Sequence, residues 1–310
     1  MHIVTIFVAS ELLIGVLSAT VTELKVHVGT WNVDSNEPME GIDDLIGLKP
    51  SQPNQQNDLI LLGFQEMVSP TVSGALQKVV HGEKWTGDLE NKFKTKNYIK
   101  VKGQTMFGIG SYVYLLNTHK DSLDNSSVKV EEVKTGLLKQ VGNKGGIVTS
   151  FKLFGKGFTT ISAHFPAHYE QNEKRISTYN RILTKTKGLT NDFMFWLGDL
   201  NFRVDKERED IVKKINENKL SELLVHDQLK ASQKNGTAFK DWNEAEITFK
   251  PTFKYEKESD TYSDKRRPSW TDRVLYKSET QKTITSKKYQ RLEHKYSDHR
   301  PVTAEFTIKL

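Results

Sequence analysis

Apolar and polar residues alternate over short stretches along most of the chain, a pattern typical of strands with one buried face. The stretches richest in β-branched and aromatic residues are the predicted strands: LKVHVGTW, DLILLGF, IGSYVYLL, GGIVTSFKLF, FTTISAHF, DFMFWLGD, RVLY and PVTAEFTI. DLILLGF and FMFWLGD are apolar throughout, which favours central strands.

Helical periodicity occurs between several of these strands. In residues 173–187, Ile176, Tyr179 and Leu183 recur at helical spacing, and residues 205–217 form a second predicted helix that opens with acidic residues. Strands mixed with helices predict an α/β fold, in which a two-sheet β-sandwich is flanked by helices.

The start of the chain, MHIVTIFVASELLIGVLSAT, is an apolar run broken only by Glu11 and ending in small residues. It resembles a secretory signal peptide, although a buried first strand or a membrane anchor would show a similar run. We therefore expect a leader over residues 1–19 and a secreted protein. Because no repeat or linker interrupts the remainder, residues 20–310 are predicted to be a single domain.

Charge and cysteine content narrow the possible chemistry. Lys and Arg number 45 against 39 Asp and Glu, and this formal charge of +6 favours partners rich in phosphate. The chain contains no cysteine, which excludes disulfides, thiolate catalysis and thiolate metal sites. Acceptor triplets at Asn125 and Asn235 could carry glycans in a secreted chain.

Polar residues follow several apolar strands at the point where each strand ends. They are Asn32, Gln65, Glu66, His164, Asp199 and Asn201, and the last strand is preceded by Ser297, Asp298, His299 and Arg300. Singly, each has an ordinary interpretation as a turn cap, an exposed strand end or a core histidine. Burying them all is costly unless they share partners in one cleft. As a set without thiols, they suit Mg²⁺ and in-line attack on phosphorus.

Eight motifs carry a resemblance to a known family: GTWNV, FQEM, QVGNKGG, SAHFPAH, FWLGDLNFRV, FKPTFKY, RRPSWTDRVLY and YSDHRPV. Their order is similar to that in the inositol-polyphosphate 5-phosphatases, which lie within the endonuclease/exonuclease/phosphatase superfamily. The resemblance covers about residues 30–302 and implies the fold of that superfamily.

The resemblance implies a metal site and a catalytic group. Glu66 and Asn32, with Asp298 nearby, would hold Mg²⁺ while water and a substrate oxygen complete the octahedron. The catalytic residues it implies are Asp199, Asn201, His164, His299 and Asp272. Asp199 and Asn201 would position the attacking water, His299 paired with Asp272 would contact the phosphate, and His164 would be a second donor. No phosphohistidine is expected.

Substrate contacts are implied in two further segments. Their residues are Lys254, Lys265, Arg266 and Arg267 in a basic stretch, and Asn143 and Lys144 in a glycine-rich one. The basic stretch would hold the neighbouring ring phosphates, or else it is a solvated loop. The glycine-rich segment lacks Walker spacing, so it lies beside the active site or serves only tight sheet packing. Phe253 departs from the family pattern PTYKYD, and it removes a hydroxyl that contacts the 4-phosphate.

The implied function is hydrolysis of the 5-phosphate of phosphoinositides, such as phosphatidylinositol 4,5-bisphosphate and 3,4,5-trisphosphate, or of soluble inositol polyphosphates. A secreted nuclease of the superfamily is an alternative, but it would not need FKPTFKY followed by KRRPSWTDR. A non-catalytic secreted ligand-binding protein is the other alternative. Such a protein would be expected to lose Asp199, Asn201 or a metal ligand, and a haem-thiolate carrier also needs a cysteine.

Partner expectations follow from the same resemblance. We expect a lipid or soluble inositol phosphate as substrate, no nucleic acid, and a monomer. Transient contact with a membrane surface would come from Met106 and Phe107, which lie where the family has lipid-facing residues. Alternatively, both begin the following strand and are core.

Overall fold

A computed structural model describes residues 21–48, 56–67, 80–135, 144–279 and 283–310. The strands are β1 Glu23–Asn32, β2 Leu59–Gln65, β3 Tyr98–Met106, β4 Ile109–Leu116, β5 Leu123–Lys134, β6 Gly145–Leu153, β7 Lys156–His164, β8 Phe193–Asp199, β9 Asp272–Ser278, β10 Ile284–Arg291 and β11 Val302–Lys309. The α-helices are α1 Val80–Lys94, α2 Asn172–Leu183, α3 Arg208–Asn216, α4 Leu220–Leu224 and α5 Gln228–Asn235.

The strands form two mixed sheets. The described residues give one sheet in the order β10-β11-β1-β2-β4-β3 and a second in the order β5-β6-β7-β8-β9. Each sheet contains one parallel pair, β1 with β2 and β7 with β8, and their other neighbours are antiparallel. The predicted α/β two-sheet sandwich is confirmed.

Parallel pairing brings the polar strand ends together. Asn32 lies opposite Gln65 at the end of the first pair, and His164 lies opposite Asp199 at the end of the second. The carboxyl ends of parallel neighbours lie at the same edge of a sheet, so the site residues project from two adjoining edges.

The main core lies between the sheets. Leu24, Val26 and Val28 of β1 are fully buried and belong to the same apolar cluster as Phe195 and Leu197 of β8. Alternate residues of β2 belong to a second cluster that includes Trp85 and Leu89 of α1. Burial of β2 on both faces explains why its sequence is apolar throughout.

The eight predicted strands are present, but three others were not predicted. β3, β5 and β10 lie at or near sheet edges and expose many polar residues, so their sequences lack a strong apolar pattern. The helix expected over residues 173–187 ends at Leu183 and continues as a 3₁₀ turn, Thr184–Thr186. The helix expected from residue 205 begins at Arg208.

The expected lipid contact of Met106 is wrong. Met106 ends β3, is 3% exposed and packs with Ile109 and Ile147. Phe107 follows in a tight turn at φ 46° and is 43% exposed. Among the described helices, none has the length and apolar character needed to cross a membrane.

Candidate active site

Asp199 lies at the centre of the polar cluster. It ends β8 and is 1% exposed. Gly198 before it has φ 142°, and a Cβ there would lie 1.9 Å from the carbonyl oxygen of Ala163 in β7. Only glycine allows this close approach of β7 and β8.

Three side chains surround the Asp199 carboxylate. Nε2 of His164 lies 3.2 Å from its Oδ2, Nδ2 of Asn32 donates to the same oxygen at 3.1 Å, and Nε2 of His299 lies 3.9 Å away. Burial alone would raise the pKa of Asp199, but the hydrogen bond from His164 and the charge of His299 lower it well below its usual range. Asp199 is therefore an ionised carboxylate held by two imidazoles.

His299 is oriented by Asp272. A hydrogen bond of 2.8 Å joins its Nδ1 to Oδ2 of Asp272, which also accepts from Thr252 at 2.6 Å and Thr271 at 2.9 Å. Burial by itself would lower the pKa of His299, but the charge of Asp272, and then of Asp199, raises it to about 10. The structure thus presents an imidazolium, with Nε2 on the side of Asp199.

His164 has the opposite electrostatics. Its Nε2 is hydrogen bonded with Nζ of Lys144 and lies 3.7 Å from Oε1 of Glu66. Burial, followed by the Lys144 charge, lowers the pKa of His164. Burial also lowers the pKa of Lys144. The two histidines therefore differ in charge, one neutral and one protonated.

Carboxylates gather at the mouth of the cluster. Glu66 follows β2 at φ 57° with a 39% exposed side chain, while Asp298 lies with Oδ1 3.8 Å from Nε2 of His299. Asp34, which the sequence analysis did not single out, belongs to the same group. Burial, then the charge of Asp298, raises the pKa of Asp34. Asp34 pairs with Lys257 at 2.8 Å, and Asp298 pairs with Lys254.

Two sets of side chains are candidates for a divalent cation. Asp199, Asp272 and His299 offer ligand atoms within 4.8 Å of one another. However, His299 and Asp272 are already hydrogen bonded to each other, and hard cations prefer oxygen to imidazole. Asn32, Glu66 and Asp298 offer oxygens beside Asp34, whose pKa is raised first by burial and then by the charge of Asp298. A divalent cation that prefers oxygen ligands would therefore fit the set of Asn32, Glu66 and Asp298 better.

The basic segment reaches the site only in part. Lys254 contacts Asp298, and the charge of Arg266 lowers the pKa of Arg203 in addition to the larger effect of burial. Arg267 stacks on the Tyr169 ring at 4.2 Å and pairs with Glu207 at 3.0 Å. Lys265 is exposed. Asn143 lies outside the described residues.

Arg203 was also missed by the sequence analysis. It is 3% exposed, its Nε donates to the carbonyl oxygen of Asn201 at 3.0 Å, and its Nη2 donates to Oδ1 of the same residue. Asn201 has φ 56°, and its Nδ2 donates to the carbonyl oxygen of Phe165 at 3.1 Å. In the sequence, the sign that could have singled out Arg203 was a charged residue within LNFRV, directly after the apolar strand FMFWLGD.

Comparison with known proteins identifies the family to which this chain belongs. The family model for "Endonuclease/Exonuclease/phosphatase family 2" matches residues 29–305. The chain belongs to this family. The resemblance stated from its motifs is therefore confirmed.

Members of the family that resemble this chain include both phosphatases and a nitrophorin. The chain is 33% identical to the mouse type II inositol 1,4,5-trisphosphate 5-phosphatase over 93% of its length, but it spans only 30% of that protein. It is 32% identical to nitrophorin Cim l NP of Cimex lectularius, and the match covers 93% of this chain and 92% of the nitrophorin.

A solved structure of the family shares the fold closely. It is the inositol polyphosphate 5-phosphatase domain of SPsynaptojanin in complex with inositol (1,4)-bisphosphate and calcium ion. The TM-score is 0.81 at 27% identity, with 93% of this chain and 85% of that chain covered.

Proposed function

We propose that this chain is a Mg²⁺-dependent phosphomonoesterase that removes the 5-phosphate from inositol polyphosphates, free or carried by a phosphoinositide, through direct attack of water. The observation that carries the proposal is the setting of Asp199. A buried, ionised carboxylate faces a protonated imidazole on one side and a neutral imidazole on the other. This arrangement provides a base and two phosphate donors in one cleft.

Each residue has a role that its environment supports. Asp199, kept ionised, accepts a hydrogen bond from the attacking water and takes its proton as the bond to phosphorus forms, when that water is most acidic, while Asn201 positions the water. His299, kept protonated by Asp272, donates to an oxygen of the phosphate, and His164 donates to a second oxygen. Donors fixed before the reaction lower the barrier without solvent reorganisation.

The oxygen ligands complete the proposal. Asn32, Glu66 and Asp298 would hold Mg²⁺, which when bound neutralises charge on the substrate phosphate and on the departing alkoxide. Lys254 lies at the same mouth, and it is the residue we assign to the neighbouring 4-phosphate, with Arg266 and Arg267 at the rim. Lys265 lies exposed in the same segment, where it would be accessible to a ring phosphate.

A non-catalytic ligand carrier is the alternative that similarity to a nitrophorin raises. Two features of the chain favour the enzyme. Asp199, Asn201, His164, His299 and Asp272 are all present and buried in one cluster. The chain also has no cysteine with which to hold a haem as thiolate.

Secretion is part of the proposal. It is supported by the apolar leader, residues 1–19, which lies outside the described residues. The acceptor asparagines Asn125 and Asn235 are both exposed, as glycan attachment requires. A secreted enzyme of this kind would act on soluble inositol phosphates or on lipids that it reaches after leaving its cell of origin.

The deciding experiment is phosphate release from a panel of phosphoinositide vesicles and soluble inositol phosphates, in Mg²⁺ and in chelator. We expect release of one phosphate per ring only with the metal, and its loss in Asp199→Asn. The matched control is Asp192→Asn, at the opposite end of the same strand, where the carboxylate accepts from the Gly157 amide. No release from any substrate, with stoichiometric haem binding, would establish the carrier instead.

A further inference from the structure

Arg203 contacts both functional sides of the cleft. On the water side its guanidinium makes two hydrogen bonds to Asn201, one to the carbonyl oxygen and one to the side-chain Oδ1. On the phosphate side its Cζ lies 4.7 Å from the centroid of the Phe253 ring. That ring lies 4.5 Å from the imidazole of His299, tilted by 35°. The buried guanidinium of Arg203 therefore contacts Asn201 on one side and, on the other, the Phe253 ring that packs on His299.

The hydrogen bonds to Asn201 fix which way its amide faces. A guanidinium has only donors, so the atom it contacts must be the amide oxygen. Phe165 provides a carbonyl oxygen on the other side, which requires the nitrogen there. Arg203 and Phe165 therefore require the same orientation of the Asn201 amide, and a flipped amide would satisfy neither.

The contact between Arg203 and the Phe253 ring affects the phosphate side of the cleft, where His299 lies. Phe253 is 8% exposed and lies between Arg203 and His299. A cation held against a ring face is an attractive contact, stronger when desolvated. Arg203 therefore also limits where Phe253, and through it the plane of the His299 ring, can move.

The backbone of Arg203 is held independently of its side chain. Its amide donates to Oε1 of Gln228 at 3.0 Å, and its carbonyl oxygen accepts from the amide of Gln228 at 2.9 Å. Changing the side chain thus leaves the path of the chain after Asn201 anchored.

We propose that Arg203 is a positioning residue that sets the orientation of the Asn201 amide and, through Phe253, of the His299 ring. This rests on the proposed phosphatase activity. Arg203 acts through these residues and does not touch the substrate. Its loss lowers turnover more than substrate affinity, because misplaced groups are weaker in the transition state while the basic rim still binds the ring phosphates.

The kinetic test is a double-mutant cycle with Asn201. Arg203→Met should lower kcat by about 10-fold or more, with KM changed by less than about 3-fold. Arg203→Lys should recover little, because an ammonium cannot make both hydrogen bonds of the planar guanidinium. In an Asn201→Ala background, Arg203→Met should cost much less, leaving only the part that acts through Phe253.

The cycle has two controls and a clear contrary result. Phe253→Leu removes the contact of Arg203 with the aromatic ring and leaves the hydrogen bonds to Asn201 intact. It therefore measures the part of the effect that acts through Phe253 alone. Thermal unfolding of each variant checks the fold. If Arg203→Met lowers kcat by the same factor with and without Asn201, or raises KM instead, the proposal is overturned.

A second readout does not depend on phosphatase activity. The side-chain amide resonances of Asn201, assigned by their loss in Asn201→Ala, should shift in Arg203→Lys in the metal-free protein. Unchanged resonances would overturn the proposal even in an active enzyme. An inactive wild type with shifted resonances would instead refute the proposed function and leave the contact standing.

Discussion

Nδ1 of His299 and Oδ2 of Asp272 are joined by a hydrogen bond of 2.8 Å inside the protein, with both side chains buried. Because Asp272 contacts His299 only in the folded protein, folding itself raises the pKa of the imidazole. A pKa of about 10 lies far above the ordinary value near 6.5, so the imidazole is protonated at neutral pH in the metal-free protein.

The first prediction concerns stability against pH. Because the folded pKa of His299 is raised, its contribution to the free energy of unfolding is complete below about pH 6.5 and is lost as pH rises through about 10. Denaturation of metal-free protein between pH 6 and pH 10 should show this fall. Asp272→Asn should flatten it, since the amide no longer favours the imidazolium. If the free energy of unfolding depends on pH equally in the wild type and in Asp272→Asn, Asp272 does not set the charge of His299.

The second prediction concerns the base and the metal. Asp199→Asn and Glu66→Gln should each lower kcat by at least about 100-fold, because one removes the proton acceptor and the other an oxygen ligand. Glu66→Gln should also require more Mg²⁺ for half-maximal activity, whereas Asp199→Asn should not. The measurement is initial rate against Mg²⁺ concentration. Full activity of either variant would refute the assignment.

The third prediction concerns ring phosphates. Phe253 cannot donate to a 4-phosphate, and its ring packs on His299. We expect 4,5-bisphosphorylated substrates to be preferred over the 5-monophosphate by kcat/KM. Phe253→Tyr should widen this preference, since a hydrogen bond to a charged acceptor is worth about 1.5 to 3 kcal/mol at most. Lys254→Ala should abolish it, while Lys250→Ala, an exposed lysine nearby, should not. An unchanged ratio in Lys254→Ala would remove Lys254 from the substrate site.

The fourth prediction concerns membranes. Phe107 is the exposed residue of its turn, with Nζ of Lys134 4.7 Å from its ring centroid, a combination suited to an anionic lipid surface. Phe107→Ser should lower hydrolysis on vesicles and leave hydrolysis of a soluble inositol phosphate unchanged. Val225→Ser, at another exposed apolar position, should affect neither. A parallel loss on both substrates would point to a fold defect.

The fifth prediction concerns the leader. Protein collected from a secreting host should begin near Thr20, because small residues follow the apolar run. Intact-mass analysis after removal of glycans measures this directly. A secreted product that retains Met1 would show that the segment is not cleaved.

Much of the fold was accessible from sequence because its central strands are strongly apolar. Strands such as β2 and β8 are buried on both faces, and their polar ends stood out for that reason. β5 and β10 were inaccessible, since an edge strand needs one apolar face at most and their residues are largely polar. Met106 was misassigned because a polar stretch conceals a single inward-facing position at a strand end.

The site was less accessible than the fold. The polar residues at strand ends, among them Asn32, Glu66 and Asp199, were expected to share one cleft because burying each of them alone would be costly. Asp34 and Arg203 depend on side-chain contacts between segments distant in sequence, and no local pattern encodes those contacts.

Pairing of β1 with β11 has a consequence for how the protein reaches its native state. Glu23 lies opposite Lys309 in this ladder, and the indole of Trp31 donates to the carbonyl oxygen of His299, 268 residues away in sequence. Contacts between such distant residues raise the contact order and slow folding. During synthesis, β1 lacks its β11 neighbour in the six-stranded sheet until residues 302–309 have been made, and His299 arrives with the same last segment. The buried cluster of Asp199, Asp272 and His299 can therefore assemble only after translation has passed His299.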